Sequence, residues 1–190
     1  MMDLTSAFIE AIQDNSQFID AVNIIRTNSS GSVWLIGGSV YRTLANRLYG
    51  TPSPDVDLDF IVERPVKEFR LPTGWKVTQN KYGDPKFVHV CCSVDYIPLE
   101  TVHSILRRRL EPTIDNFLTG TPLTIQSITY SVNDQKIIGE ICIDALLRKE
   151  VAVNNLEQAR IYAKRKGIPL NEIIERKAKS LQFTPIFEPS

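Results

Sequence analysis

Asp55, Asp57 and Asp59 alternate along the run Asp55-Val56-Asp57-Leu58-Asp59-Phe60-Ile61-Val62. Side chains two apart on a strand point to the same face, so this spacing lines one face with carboxylates. Such carboxylates repel each other unless a cation or solvent relieves them, and a same-face pair can hold a divalent metal. Upstream, Gly37-Gly38-Ser39 ends an apolar run and opens a helical pattern. A turn of that kind at a helix N-terminus can hold the phosphates such a metal would neutralise. A solvent-facing strand edge kept soluble by charge is the alternative reading of the acids. The apolar continuation Phe60-Ile61-Val62 marks a central strand and favours the metal.

The elements around these residues follow from periodicity. Residues 33–36 form a short apolar strand of the kind buried on both faces, after a loop over 28–32. Residues 39–49 read as a helix with Val40, Leu44 and Leu48 on one face, stopped at 50–54 by a glycine and two prolines. Before them, residues 4–27 form one broken or two short amphipathic helices. Residues 65–72 form a connection, 75–79 a strand, 81–85 a turn and 87–98 one long strand with Asp95 near its end. A helix over 99–110 ends in Arg107-Arg108-Arg109, whose charge suits a solvated helix end or a phosphate contact. A hairpin spans 123–132 and 136–138, and helices cover 141–147, 154–165 and 171–181, with an irregular tail over 184–190.

Bulk properties narrow the class. The 190 residues suffice for one domain with an extension, and the formal charge of zero provides no global basic field for nucleic acid. Three cysteines, Cys91, Cys92 and Cys142, lack zinc or disulfide spacing and read as reduced side chains. The N-terminus carries acids and has no signal-peptide pattern, and no stretch is a membrane span, so the expectation is a soluble cytoplasmic protein. His89 and His103 are assigned no role, and no Ser-His-Asp spacing, P-loop or zinc pattern is present.

Gly37-Gly38-Ser39-Val40 followed by Asp57-Leu58-Asp59-Phe60-Ile61-Val62 resembles the head of nucleotidyltransferases of the bacterial poly(A) polymerase and CCA-adding type, which show a G-G-x-V-R-D turn and a D-x-D strand. Val94-Asp95-Tyr96 sits where such heads have a strand acid, and residues 124–130 look like their T-I-N-A-L-A-Y segment. A region similar to their neck carries Glu157, Arg160 and Arg165 on one helix. The resemblance covers residues 33–170 in consistent order.

The resemblance implies an α/β (α+β) nucleotidyltransferase-like fold: a mixed, mostly antiparallel sheet with helices packed on one face. It also implies a head over 1–146 and a short helical neck-like extension over 147–190. It implies metal-dependent transfer of a nucleoside monophosphate from a nucleoside triphosphate to a hydroxyl, an RNA 3′ end foremost, with release of pyrophosphate. Asp57, Asp59 and Asp95 would be catalytic, with Mg²⁺ or Mn²⁺ on Asp57 and Asp59 and Asp55 as the rival ligand. The later pair is preferred because the apolar run follows it directly. Gly37, Gly38, Ser39, Arg42, Gln126, Glu157 and Arg160 would bind nucleotide. The chain departs from the pattern where Tyr41-Arg42 replaces Arg-Asp after the turn, and where Gly120-Thr121 replaces arginines ahead of the T-I-N-A-L-like segment. Three other readings are a degenerate head that binds nucleotide or a partner without catalysis, nucleotidylation of a protein or small molecule, and a structural calcium site.

Overall fold

Asp3 and Asn15 each turn a side-chain oxygen onto the free N–H groups of a first helical turn, splitting the N-terminal amphipathic stretch into α1 (Leu4–Ile12) and α2 (Ser16–Thr27). A computed structural model describes residues 3–52 and 57–187. Next come β1 (Ser29–Ile36), α3 (Gly38–Tyr49), β2 (Leu58–Pro65), β3 (Lys76–Gln79), β4 (Pro85–Val88) and β5 (Ser93–Pro98). A 3₁₀ turn, Leu99–Thr101, leads into α4 (His103–Arg108) and α5 (Ile114–Leu118). A second 3₁₀ turn, Thr124–Gln126, precedes β6 (Thr129–Ser131), β7 (Lys136–Ile138), α6 (Glu140–Arg148) and β8 (Glu150–Val151). The chain closes through α7 (Leu156–Lys166), α8 (Leu170–Leu181) and β9 (Thr184–Pro185).

Seven strands form one sheet in the order β3-β4-β5-β2-β1-β6-β7, antiparallel throughout except for the parallel pair β2 and β5. This is the mixed, mostly antiparallel sheet expected. Alternation sorts its side chains. Val33, Leu35, Phe60 and Val62 join the main core beneath α1, α2, α3, α6 and α8, while Trp34, Ile36 and Ile61 point the other way. The helical layer covers the first face, as expected, and the second face carries a smaller apolar cluster closed by Leu99, Val102 and Ile105. Asp59 shares that second face with Ile61, two residues on.

Four expectations are corrected. The supposed loop over 28–32 is the start of β1, because Ser29 and Ser30 find ladder partners in Pro65 and Arg64 despite their loop-like composition. The long strand over 87–98 is two strands: the His89 N–H donates to Cys92 O at 2.9 Å and reverses the chain, so β4 and β5 pair antiparallel. Residues 99–110 divide into the 3₁₀ turn and α4, and Arg109 takes a left-handed conformation at the end. The tail does not wander at Thr184–Pro185, which adds a short parallel ladder to β8. Val151, Ile173, Ile174, Ala178 and Leu181 belong to the same core cluster as Phe8 and Leu44, so α8 packs into the main core. Asp55 lies outside the described residues.

Candidate active site

The β1–α3 junction and the start of β2 meet by register. Ile36 pairs with Asp59, which brings the following residue, Gly37, beside that carboxylate. Gly37 has φ +74° and ψ −145°, a conformation open to glycine, and a Cβ on it would stand 3.3 Å from Asp59 Oδ2. It serves as the N-cap of α3 with no side-chain cap, so the N–H groups of Gly38 and Ser39 have no intrahelical acceptor and open toward an anion. The Ser39 hydroxyl donates to Ile36 O at 3.0 Å and is buried. Only its N–H is therefore available to a phosphate, which narrows the expected role of Ser39.

The parallel β2–β5 ladder sets Asp59 against Asp95. Burial, then the adjacent Asp95, then Asp57, push the Asp59 carboxyl up to about 7, while Lys86 works in the opposite direction. Asp95 Oδ1 is buried without a hydrogen-bond partner, although Lys86 Nζ stands 3.4 Å from it outside hydrogen-bond geometry. Asp57, at the mouth of the cluster, accepts from Ser93 Oγ at 3.1 Å and lies 3.9 Å from Lys86 Nζ. Among the described residues no three His, Cys, Asp or Glu side chains converge to cage a metal by themselves. The Asp59 and Asp95 carboxylates, opposite one another on the ladder, nevertheless form a hard-oxygen pair. It fits Mg²⁺, which is commonly held by one or two carboxylates together with substrate phosphates.

Gly37 and Asp59 line a cavity of about 300 Å³ shared with the second face of the sheet, α4 and α7. Gln126, expected from the sequence to bind nucleotide, lines it with its Oε1 buried and unpartnered. Gln158, a residue that sequence reasoning did not single out, enters from α7. Its Oε1 accepts from Arg107 Nε and Nη2 at 3.2 and 2.6 Å, and its Nε2 is buried without an acceptor. Arg165 lies over the rings of Tyr82 and Tyr162, at 4.9 and 5.3 Å from their centroids, at the outer wall.

Glu157 and Arg160 are not among the residues that line the cavity; Gln158, Ile161, Tyr162 and Arg165 form the facing side of α7. Arg42 points away as well: its Nη2 is 3.5 Å from Ser180 Oγ and its guanidinium lies over Tyr41. Tyr41 is buried and its hydroxyl accepts from Lys177 Nζ at 2.9 Å. At Gly120, a side chain would overlap the guanidinium of Arg108, which donates to Ser104 O, Thr119 Oγ1 and Asn116 O. Arg108 thus occupies the volume beside Gly120 and joins α4 to α5, leaving Arg107 to face the cavity.

No protein-family model matches the sequence, and no curated protein matches it. Solved structures do share its fold. A CCA-adding enzyme in complex with ATP aligns at a TM-score of 0.60 and 16% identity, over 97% of this chain and 42% of that one. A CCA-adding enzyme with CTP gives 0.59 and 15%, over 92% and 46%. The Thermotoga maritima CCA-adding enzyme complexed with tRNA gives 0.53 and 13%, over 93% and 46%. The chain spans less than half the length of these structures. The likeness shows a nucleotidyltransferase-like fold. Among the described residues, no helix is long and apolar enough to cross a membrane.

Proposed function

We propose that this protein is a nucleotidyltransferase that moves a nucleoside monophosphate from a nucleoside triphosphate to a hydroxyl acceptor, an RNA 3′ end foremost, and releases pyrophosphate. The observation that carries this reading is the placement of Asp59 and Asp95 side by side on a parallel ladder, directly below Gly37 at the open start of α3. Acids that hold a metal and N–H groups that hold phosphates then act on the same triphosphate.

In this reading Gly37, Gly38 and Ser39 receive the outer phosphates through backbone N–H groups, and the absence of a side chain at Gly37 lets phosphate and carboxylate approach. Mg²⁺ or Mn²⁺, when bound by Asp59 and Asp95 with Asp57 at the rim, supplies Lewis-acid stabilisation of the charge that builds on the phosphates. The acceptor oxygen bonds to the α-phosphorus as the bond to the β-phosphate oxygen breaks, pyrophosphate leaves, and the acceptor proton passes to solvent water. The nucleobase lies along the cavity, where Gln126 Oε1 offers an acceptor, Gln158 Nε2 a donor, and Arg107 orients Gln158. Arg165 and Tyr162 at the outer wall suit base stacking or an RNA backbone. Residues 1–146 serve as the head, and 147–190 as a neck-like extension that supplies the α7 wall. The workplace of such an enzyme is the cytoplasm.

The second reading, nucleotide binding without transfer, draws on Tyr41, which is tied to Lys177 and does not line the cavity. Incubation with each labelled nucleoside triphosphate, Mg²⁺ and total RNA separates the two. Transfer to RNA that disappears in Asp59→Asn supports the enzyme. Nucleotide binding without transfer to RNA, protein or small-molecule fractions supports the binding domain.

A further inference from the structure

The acid cluster already contains a cation. Lys86 of β4 pairs with Asp95 across the antiparallel ladder, so the two side chains leave the sheet on the same face. The Lys86 side chain is only 23% exposed, and its Nζ lies 3.4 Å from Asp95 Oδ1 and 3.9 Å from Asp57 Oδ1. The ammonium therefore stands between the carboxylate at the mouth of the site and the one at its floor. The Asp57 oxygen it faces is also the one that accepts from Ser93.

A divalent ion bridging Asp57 and Asp95 would need this position. To enter, it would have to expel a tethered, partly buried ammonium of like charge, whose stem is held on the sheet. Lys86 pairs with Asp57 and Asp95 and not with Asp59, which faces Asp95 across the parallel ladder. Asp59, with Asp95 beside it, can hold one Mg²⁺ together with nucleotide phosphates and water.

We propose that Lys86 is the second cation of this site: its ammonium takes the position of one of two divalent ions, and the protein binds a single Mg²⁺ with its nucleotide. This rests on reading the cluster as a nucleotidyl-transfer site. Lys86 then screens the carboxylates from one another and presents a permanent positive charge to the triphosphate. The number of metal ions is therefore a property of the β4–β5 pairing as well as of the acids.

The test counts bound Mn²⁺ by electron paramagnetic resonance, using the full chain with a non-hydrolysable nucleoside triphosphate. One ion per chain is expected for the native protein and for Lys86→Arg, and two for Lys86→Met. Two ions in the native protein overturn the proposal and leave the nucleotidyl-transfer reading standing. One ion in Lys86→Met also overturns it, since the lysine then displaces nothing. No bound ion in any of the three overturns the underlying reading and the proposal with it. If Lys86→Met fails to fold, the native and Lys86→Arg counts decide.

Discussion

Gly37 presents its bare α-carbon to Asp59: a methyl group there would lie 3.3 Å from Asp59 Oδ2, on backbone with φ +74°. Gly37→Ala should therefore lower stability by roughly 1–3 kcal/mol through the strained backbone. It should also weaken nucleoside triphosphate binding more than stability, because the added carbon stands between helix start and acid. Urea unfolding and nucleotide titration on the same variant measure the two effects.

The Asp59 carboxyl, pushed up to about 7 by burial and by Asp95, links stability to pH in the metal-free protein. The native state keeps the proton after the unfolded chain, with its ordinary value of 3.8, has lost it. Stability is thus fully present below that ordinary value, falls as pH rises toward about 7, and then levels. Between about pH 5 and about pH 8 in EDTA the loss should reach roughly 2–3 kcal/mol, at about 1.4 kcal/mol per unit. Asp59→Asn should flatten that slope in urea unfolding, and Mg²⁺ with nucleotide should offset the loss in the native protein.

Arg108 and Gly120 share one volume, since a side chain at 120 would meet the guanidinium that holds α4 to α5. Gly120→Ala alone should displace the guanidinium rather than the backbone and cost about 1 kcal/mol through the hydrogen bonds Arg108 gives up. Combined with Arg108→Ala it should cost less than the sum of the single changes, a coupling that a double-mutant cycle in urea resolves.

Gln158 carries a buried, unpartnered Nε2 and is held through Oε1 by Arg107. Gln158→Leu should compress the kcat/KM ratio between the best and worst nucleoside triphosphates by roughly 10- to 100-fold, as expected when a buried polar contact is lost. Arg107→Ala should shift selectivity in the same direction. Glu157→Ala, off the cavity side of α7, should leave it in place.

The half of the site built on local pattern was legible in the chain. Period-2 acids and a glycine turn mark Asp59 and Gly37, and a strand, helix and strand stand around them, with β1 starting earlier than its apolar run, at Ser29, and β2 starting at Leu58, one residue past Asp57. What escaped depends on partners distant in sequence. The Lys86 ammonium meets Asp57 and Asp95 only because β4 folds back onto β5, and the turn at His89-Val90-Cys91-Cys92 has neither glycine nor proline to mark it. The orientation of α7 was missed for a similar reason. Its apolar stripe is weak, so packing against α8 brings Gln158 and Arg165, rather than Glu157 and Arg160, to the cavity. The position of Arg42 after the glycine turn suggests a nucleotide ligand, yet its guanidinium reaches Ser180 of α8 and lies over Tyr41.

The seam between β8 and β9 returns the chain at Thr184 to the point it left at Glu150. The helices between are held at both ends, and α8 is embedded in the main core through Ile174, Ala178 and Leu181. The α7 wall of the cavity is therefore ordered as the protein folds, and its conformational entropy is lost then rather than on ligand encounter. A ligand entering this cavity meets a preorganised surface, so more of its contact energy remains as affinity.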